Sequence, residues 1–523
     1  MNWEMRLQPT QSGEAAHDLD AAYIEKSGLS VELLMESAAA AAFHFIERRY
    51  PDIRSVLLLA GSGHNGGDSW ALARQLSSLD LDILILDFAP DREFVGANQR
   101  MRLAAQKLRL PITEVRTEED FPKIKKWDLV VEGLLGTGYR AQPLRELYRE
   151  GFAYAEKLRA RGASLISLDV PGGVDASTGA AADGALRADL TLCFDRAKSG
   201  LFVEPGAMHG GELVTLSIGY PLHLAEREES EMDFRVMTES ALAALLPKRS
   251  PFSHKSDYGR AFLLAGSPSM PGGLILASRA CLSAGPGFLS LGIDPELKAL
   301  LPALFPQCLY PGREAWQKQI READAVAAGP AWGRSEEKKI LLREALLSAR
   351  KLILDADALN LLSDDPELRE LCRSRGGRYG SLSTLLTPHP GEFLRLFPEW
   401  EGRLSHERLE AVRSAAVNMD AMILLKGACS LLASPNRHVL AFRGMNSALA
   451  KAGSGDVLSG LILAFAAQTD SLFEAAAAAA ELHLLSARKL AASSGTAGVS
   501  IAELPFAATD ILRRYQDGED FVI

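Results

Sequence analysis

Residues Ala452–Gly460 of this 523-residue chain have the sequence AGSGDVLSG, and they are its most informative stretch. Gly453 and Gly455 leave backbone N–H groups accessible, and an apolar helix is predicted to follow. Such a turn is typical of an anion-binding helix N-terminus, because free amides and the helix dipole attract phosphate. Asp456 stands at the helix start, where its carboxylate could take a proton from an attacking hydroxyl. From this segment alone, a simple helix cap is an equal alternative.

Three further groups of polar residues follow predicted strands in the same half of the chain. Asp355 and Asp357 lie in LDADALN, His389 lies in TPHPGEF, and Lys426 lies in LLKGACS. Ligands of open α/β sheets bind at the carboxyl ends of strands, so these groups favour a ligand site there. Any one of them could still be a turn, and a lone histidine beside prolines is more often structural than catalytic.

Strand and helix patterns alternate through both halves of the chain. The predicted strands are near-continuous apolar runs, typical of parallel strands buried on both faces. Two long helices, Gly455–Ala467 and Leu472–Ala492, close the second half. The predicted strands are Val56–Ala60, Leu81–Leu86, Asp128–Leu135, Ser164–Val170, Ala188–Phe194 and Glu212–Gly219, then Arg260–Gly266, Phe288–Ile293, Ala323–Gly329, Lys351–Asp357, Met422–Gly427 and His438–Phe442.

This alternation predicts a two-domain α/β protein whose first domain is a doubly wound, Rossmann-like sheet. The stretch Pro221–Phe234, PLHLAEREESEMDF, is dense in charge and loses the strand pattern. We place the domain linker there. The predicted domains are 1–221 and 235–523, with the linker at 222–234.

The composition is that of an ordinary folded protein, with 47% hydrophobic and 24% charged residues. A formal net charge of -10 argues against nucleic acid as a partner. Five scattered cysteines without a C-x-x-C pair indicate reduced thiols. The chain shows no signal-peptide pattern and no apolar run long enough to span a bilayer. We therefore expect no membrane contact and a cytoplasmic location.

The motifs of the second half closely resemble those of the ADP- or ATP-dependent NAD(P)HX dehydratases, which belong to the ribokinase-like superfamily. HKSDYG (254–259), AGSPSMPGG (265–273), LDADALN, LTPHPGEF, LLKGA and AKAGSGDVLSG occur in the family's order. The resemblance implies a ribokinase-like α/β domain from about Phe234 to the C-terminus. Ala331 replaces a glycine of the family's GPGLG, and Gly273 stands where the family usually has alanine.

The resemblance also implies a reaction. ADP or ATP with Mg²⁺ would phosphorylate the C6 hydroxyl of the hydrated nicotinamide, and the phosphate would then leave. Asp456 would be the general base, and similarity to fused bacterial enzymes favours ADP. The implied substrate-binding residues are Gly273, Gly333, His389 and Asp456, and the implied nucleotide-binding residues are Lys426, Gly427, Ala428, Cys429, Ser430 and Gly455.

The first half has its own glycine-rich turn, AGSGHNGGDSWALARQL (60–76), between a predicted strand and a predicted helix. Such a loop can accommodate phosphate, although tight turns use glycine for other reasons as well. EGLLGTGYR (132–140) and LDVPGGVDASTG (168–179) also follow predicted strands, and a lysine in DRAKSGL (195–201) follows another.

Together these motifs are similar to the NAD(P)HX epimerase domain over about Ala15–Pro221. The resemblance implies interconversion of the two C6 epimers, a bound potassium ion, and Asp169 as candidate acid/base. The implied potassium positions are Asn65, Glu132 and Gly172. The implied substrate positions are His64, Asn65, Gly66, Gly67, Asp68, Gly136, Thr137, Gly138, Tyr139, Arg140, Ala141, Gln142 and Asp169.

Four residues depart from the epimerase pattern, all on the implied ion and substrate loops. His64 and Ser69 replace the outer residues of the family's NNGGDG, Glu132 replaces an aspartate, and Gly172 replaces a serine. Our hypothesis is that potassium binding is weakened or remodelled and that epimerase activity is reduced or lost.

Two other functions fit parts of the sequence. A ribokinase-like kinase of a vitamin or sugar hydroxyl would also carry GSGD, but TPHPGEF, HKSDYG and the fused first half argue against it. A binding or scaffold role for the first half is favoured by the altered loops and opposed by the retained Asp68, Gly136, Gly138 and Asp169. We expect a homo-oligomer.

Overall fold

The structure, a computed structural model, describes residues 3–91, 96–221 and 234–517. These residues form two compact units. The N-terminal unit comprises 9–234 and 405–408, and the C-terminal unit comprises 3–8, 235–404 and 409–517. Both combine parallel strands with helices, so the predicted α/β class is confirmed.

The N-terminal unit contains a seven-stranded sheet in which all neighbouring strands are parallel. The chain order reverses between the two central strands, Ser55–Ala60 and Leu129–Gly133, so the loops that follow them diverge. Such a switch point opens a crevice for a ligand. From edge to edge the strands are Ile112–Glu114, Asp82–Asp87, Ser55–Ala60, Leu129–Gly133, Ser164–Leu168, Leu190–Phe194 and Glu212–Leu216.

Alternate residues of the central strand Ser55–Ala60 point to opposite faces of this sheet, as the strand period of two requires. Val56 and Leu58 join one hydrophobic core, whereas Leu57 and Leu59 join another. The sheet is therefore covered on both faces, which is the doubly wound arrangement predicted from the sequence. The helices of this unit are Gly13–Ser27, Val31–Arg49, His64–Leu76, Ala97–Lys107 and Glu146–Arg159.

Eight neighbouring strands of the second sheet lie in the C-terminal unit, and they follow the order of the chain except for the first two. Six are parallel, and the last two pair antiparallel with what precedes them. Six parallel carboxyl ends therefore meet at one edge, where the polar motifs lie. The strands are Phe288–Gly292, Arg260–Leu264, Ala325–Ala328, Leu352–Leu354, Thr384–Leu386, Met422–Leu425, Cys429–Ala433 and Val439–Arg443.

Helices surround this second sheet, and two of them form its most closely packed pair. A Cβ atom placed on Gly460 would lie only 2.2 Å from the carbonyl oxygen of Ala277, so these two helices meet backbone to backbone. The helices in this half of the chain are Glu239–Leu245, Pro271–Ser283, Leu301–Leu304, Trp316–Glu322, Glu336–Ser348, Ala356–Asp364, Pro366–Tyr379, Pro390–Leu396, Arg408–Met419, Ser454–Gln468, Leu472–Gly498 and Leu504–Asp517.

The observed units differ from the predicted domains at the start of the chain. Residues 3–8 lie in the C-terminal unit because Trp3 donates its indole N–H to Glu474 at 3.1 Å and packs against Phe473. Arg6 also donates to the carbonyl of Ser240 at 3.1 Å. Of the predicted linker, residues 222–233 lie outside the described residues.

Among the described helices, no single one is long and apolar enough to cross a membrane. The pair Gly13–Ser27 and Val31–Arg49, bent by 119° between them, passes that length and composition test only when taken together.

Two candidate active sites

A buried lysine–aspartate pair forms the base of the site in the C-terminal unit. Lys426 follows the strand Met422–Leu425, and its Nζ lies 2.7 Å from Oδ1 of Asp355. Asp355 is 2% exposed and also accepts hydrogen bonds from the hydroxyls of Thr387 at 2.9 Å and Ser459 at 2.7 Å. The lysine charge is thus fixed in place by a fully satisfied carboxylate.

The electrostatics of this pair keep both partners charged. Burial would raise the pKa of Asp355, but the Lys426 charge and the hydroxyl donors hold it below its usual value. Burial would likewise lower the pKa of Lys426, but the charges of Asp355 and of Glu392, 3.9 Å away, raise it overall. A Cβ placed on Gly455 would lie 3.4 Å from the lysine Nζ, so this positive charge adjoins the glycine-rich turn.

Asp456 lies in the first turn of the helix Ser454–Gln468, directly after that turn. Gly453 precedes the helix with a φ of 92°, a left-handed conformation that glycine adopts without strain. Burial, followed by the charge of Asp355, raises the pKa of Asp456 to about 6, with Lys426 opposing the shift. Asp456 can therefore gain and lose a proton near neutral pH, as a general base must.

The structure brings the predicted substrate-binding glycines to the same place. A Cβ on Gly273 would lie 3.0 Å from Oδ2 of Asp456. The backbone N–H of Gly333 donates to Oδ2 of Asp357 at 2.8 Å. His389 is different, because its Nδ1 accepts the N–H of Gly391 at 3.0 Å and so caps the helix Pro390–Leu396.

The predicted nucleotide segment forms a tight turn between two strands. Gly427 and Ala428 are exposed, and the hydroxyl of Ser430 lies 3.3 Å from the backbone nitrogen of Gly427. Cys429 begins a strand and its side chain is fully buried, so only its backbone can contact a ligand. The resemblance implied no role for Asp355, although the motif LDADALN places it at the end of a predicted strand.

The site in the N-terminal unit is a cavity of about 520 Å³ at the switch point of the sheet. Four predicted residues do not line it. Gly66 and Gly67 are packed against Gly61 and Met35, Arg140 pairs with Glu14 at 2.7 Å, and Ala141 is exposed. The predicted residues that do line it are His64, Asn65, Asp68, Gly136, Thr137, Gly138, Tyr139, Gln142 and Asp169.

Asp169 is held by a buried ion pair with Lys198. The lysine Nζ also donates to the carbonyls of Phe194 at 3.0 Å and Arg196 at 3.1 Å. Asp169 further accepts the backbone N–H of Phe194 at 3.0 Å. Both members of the pair line the cavity, so the carboxylate and its counter-charge are presented together to this space.

Two further carboxyls line the same cavity. Burial, followed by the charges of Asp169 and Asp20, raises the pKa of Asp68 well above its usual value. Burial also raises the pKa of Asp20, which accepts a hydrogen bond from the hydroxyl of Tyr220. Three carboxyls share one cavity with Lys198, so a carboxyl whose pKa is raised by burial stands beside an ion-paired one.

Glu132 occupies the implied potassium position with its oxygens already engaged. Its carboxyl accepts the hydroxyl of Ser167 at 2.7 Å and the backbone N–H groups of Leu134 at 2.7 Å and Gly172 at 3.1 Å. It is fully buried, and burial raises its pKa to about 7. Glu132 thus joins three segments of the chain by itself.

The other implied potassium positions complete this arrangement. Asn65 donates its amide N–H to the carbonyls of Leu135 at 2.6 Å and Leu168 at 2.9 Å. A Cβ on Gly172 would lie 2.2 Å from the ring of Phe152, so no serine fits there without movement. Within the described residues, Asn65 Oδ1 is a buried acceptor without a hydrogen bond, but one oxygen is not a cation cage. This set of residues does not fit a potassium ion.

Comparisons with known proteins agree with the division into two sites. A family model described as NAD(P)H-hydrate dehydratase matches residues 261–507, and one described as YjeF-related protein N-terminus matches residues 31–200. A solved structure, the ADP/ATP-dependent NAD(P)H-hydrate dehydratase from Bacillus subtilis co-crystallized with ATP/Mg²⁺, is 28% identical. It covers 53% of this chain and 97% of that one, with a TM-score of 0.46.

Full-length relatives span both units. The bifunctional NAD(P)H-hydrate repair enzyme Nnr of Escherichia coli is 30% identical over 479 residues, covering 91% of this chain and 88% of the relative. That of Thermofilum pendens is 33% identical over 466 residues, covering 85% of each chain. With this identity over most of its length, the chain belongs to the family of bifunctional NAD(P)H-hydrate repair enzymes.

Proposed function

We propose that the protein returns hydrated NADH and NADPH to their normal forms, with a dehydratase in the C-terminal unit and an epimerase in the N-terminal unit. The observation that carries the proposal is Asp456, a carboxyl with a pKa of about 6 at a glycine-rich helix start, beside the Lys426–Asp355 pair. We further propose that the enzyme works in the cytoplasm.

In the dehydratase, Asp456 takes the proton from the C6 hydroxyl of the hydrated ring as the hydroxyl oxygen attacks the terminal phosphoryl group of the nucleotide. The ring nitrogen lone pair then expels phosphate, and loss of a proton from the neighbouring ring carbon restores the double bond. Amides of the turn at Gly453 and Gly455 and the charge of Lys426 stabilise negative charge on the transferring group.

ADP is the proposed phosphoryl donor, with ATP as the alternative, and the turn residues Gly427 and Ala428 offer exposed backbone to it. A divalent cation such as Mg²⁺ would neutralise phosphate charge. The described residues contain no group of three or more His, Cys, Asp or Glu side chains arranged to hold a metal ion. The nucleotide's own phosphates would therefore supply much of the ion's coordination.

In the epimerase, Asp68 donates a proton to the C6 hydroxyl, which leaves as water while the ring nitrogen supplies the electron pair. Water then adds to the opposite face of the ring and gives up a proton to Asp169, which is oriented by Lys198. A protonated and an ion-paired carboxyl in one cavity are the acid and base that this exchange needs. No step requires a potassium ion.

The two alternative functions are less well supported. A hydroxyl kinase would have no use for the acid–base cavity of the N-terminal unit, and a scaffold domain would not need Asp68 and the buried Lys198 to line it. The relatives that match along most of the chain carry the name of repair enzymes in both cases given above.

The test is an incubation of the purified chain with mixed R and S NADHX, ADP and Mg²⁺, following the return of NADH absorbance. Recovery supports the dehydratase, and recovery of the whole mixture faster than spontaneous epimerisation supports the epimerase. A parallel reaction with ATP and vitamin or sugar hydroxyls separates the kinase function. A stable phosphorylated product there, without NADH recovery, would overturn the proposal.

A further inference from the structure

A side chain at position 273 would need the space beside Asp456 that the Ala331 side chain occupies. Gly273 lies in the first turn of the helix Pro271–Ser283, and Ala331 lies in the loop after the strand Ala325–Ala328. A Cβ on Gly273 would lie 2.6 Å from the Cβ of Ala331 and 3.0 Å from Oδ2 of Asp456. Non-bonded carbon atoms pack at about 3.5–4.0 Å. Only one of the two positions can therefore carry a side chain.

The helix that carries Gly273 is not free to move aside. It packs against the helix that carries Asp456, and the two backbones touch where Gly460 faces Ala277. A Cβ on Gly460 would lie 2.2 Å from the Ala277 carbonyl oxygen. A shift that made room at Gly273 would have to pull this contact apart.

The loop that carries Ala331 is also held. The backbone N–H of Gly266 donates to the carbonyl of Pro330 at 2.9 Å, and the side chain of Trp332 is fully buried. Both neighbours of Ala331 in the chain are therefore anchored, one by a backbone hydrogen bond and one by packing.

Each of the two residues is unfavourable where it stands. Ala331 has a φ of 51°, in the left-handed region that favours glycine. Gly273 lies within a helix, where alanine would be more stable. Exchanging the two residues would satisfy both local preferences and would still leave one side chain in the shared space. A change at one position therefore requires a change at the other.

We propose that Gly273 and Ala331 form a coupled positioning pair, in which the Ala331 methyl group fills the space that a side chain at position 273 would take and sets the wall against Asp456. The pair fixes where the carboxyl points and shapes the surface that the hydrated ring meets. This role in the reaction rests on the proposed dehydratase function, whereas the steric coupling does not.

The experiment compares G273A, A331G and the double variant with G272A, a control in the same helical turn. A Cβ on Gly272 meets no atom within 4 Å, so G272A adds the same methyl group harmlessly. G273A should lower kcat/KM for dehydration by about 10²-fold, because displacing a catalytic group by about 1 Å has an effect of that size. The double variant should recover part of this loss, because it removes the 2.6 Å contact with the Ala331 Cβ and keeps the 3.0 Å contact with Asp456. G272A should match the unmodified protein.

A pH profile separates positioning from a purely structural role. The methyl group of G273A would exclude water from the Asp456 carboxyl in the single and in the double variant, so the acidic limb of kcat/KM should move upward from pH about 6 in both, whereas A331G alone should leave it in place. The proposed coupling is disproved if the losses of kcat/KM in G273A and A331G, expressed as free energies, simply add in the double variant. It is also disproved if G273A retains full activity.

Unfolding by denaturant provides a readout that does not depend on catalysis. G273A should lower the midpoint of the transition of the C-terminal unit, and A331G in the same chain should restore it, as a double-mutant cycle measures. If the unmodified protein fails to dehydrate NADHX, the proposed function is lost. Restoration of stability would then still support the coupling, and its absence would overturn it.

Discussion

The two active sites use the same components in different arrangements. Each has a buried lysine–aspartate pair and a second carboxyl with a raised pKa. In the C-terminal unit, Lys426 is paired with Asp355, and the predicted base Asp456 is the carboxyl with a pKa of about 6. In the N-terminal unit, Lys198 is paired with Asp169, the predicted acid/base itself. A motif identifies the residue, but only the fold shows which carboxyl the lysine is paired with.

This difference fits the two proposed reactions. Phosphoryl transfer needs one base and a positive charge that stabilises the phosphate. The lysine is therefore paired with Asp355 and not with the base Asp456. Epimerisation needs both an acid and a base in one cavity, and there the lysine pairs with Asp169 while burial raises the pKa of Asp68. The comparison can be tested one carboxyl at a time.

The largest effect is expected from D456N, which removes the base and keeps its shape. We expect kcat for dehydration to fall by about 10²–10⁴-fold, the usual contribution of a general base. The matched control is D364N, a change of a half-exposed carboxyl on the same unit. NADH recovery from pure S hydrate with ADP measures both. Near-normal turnover by D456N would show that another residue is the base and would contradict the comparison of the two sites.

A smaller loss is expected from D68N in the epimerase, about 10²-fold, because the proton donor is replaced by an amide. Conversion of the R hydrate, with added dehydratase in excess, measures the rate. The exposed Asp183 supplies the control variant D183N. If D68N keeps its rate while D169N loses it, then one carboxyl does all the proton transfer and the acid–base pair is wrong.

Most of the fold followed from the sequence because buried parallel strands are continuous apolar runs. All twelve predicted strands have counterparts, for example Val56–Ala60 within Ser55–Ala60. Two strands of the lists above, Ile112–Glu114 and Cys429–Ala433, were not predicted: the first has only three residues, and the second is separated from the strand before it by only three residues, 426–428. The docking of Trp3 on Phe473 joins residues far apart in the chain, which no local pattern reveals.

The sites were predictable only in part, for a similar reason. Asp456 stands in a motif with its own local geometry, so the sequence located it. The contact of Asp20 with Tyr220 spans 200 residues, and neither stands in a distinctive motif. Lys198 was noted after a predicted strand, but its pairing with Asp169 needed the fold.

The pH dependence of dehydration should show a further, moderate effect. Asp456 must be ionised to accept a proton, so the rate should fall about tenfold for each pH unit below about 6 and level off above it. The profile of kcat/KM with ADP measures this. The control is the pH profile of the residual activity of D456N, because any pH dependence that remains there comes from the nucleotide and not from Asp456. An identical acidic limb in D456N would assign the titration to another group.

The smallest effect is expected from potassium, where we predict no response. Replacing KCl by NaCl at equal ionic strength should leave both the epimerisation rate and the melting temperature of the chain unchanged. Glu132 already joins the segments at Ser167, Leu134 and Gly172 that a cation would otherwise hold together. A rate increase specific to potassium would show that these loops rearrange to admit the ion.

The variant E132D sharpens this test, because it shortens the arm by one methylene group and withdraws the carboxylate from the backbone of Gly172. Asn65 Oδ1 is a buried acceptor that has no hydrogen bond among the described residues, so it is the oxygen available to an ion in this variant. We expect E132D to melt at a lower temperature, and any response to potassium to appear in this variant rather than in the unmodified chain. E119Q, a change at an exposed position of the same unit, is the control. If E132D is as stable as the unmodified protein, Glu132 does not hold the loops, and the N-terminal site owes its order to something other than this carboxyl.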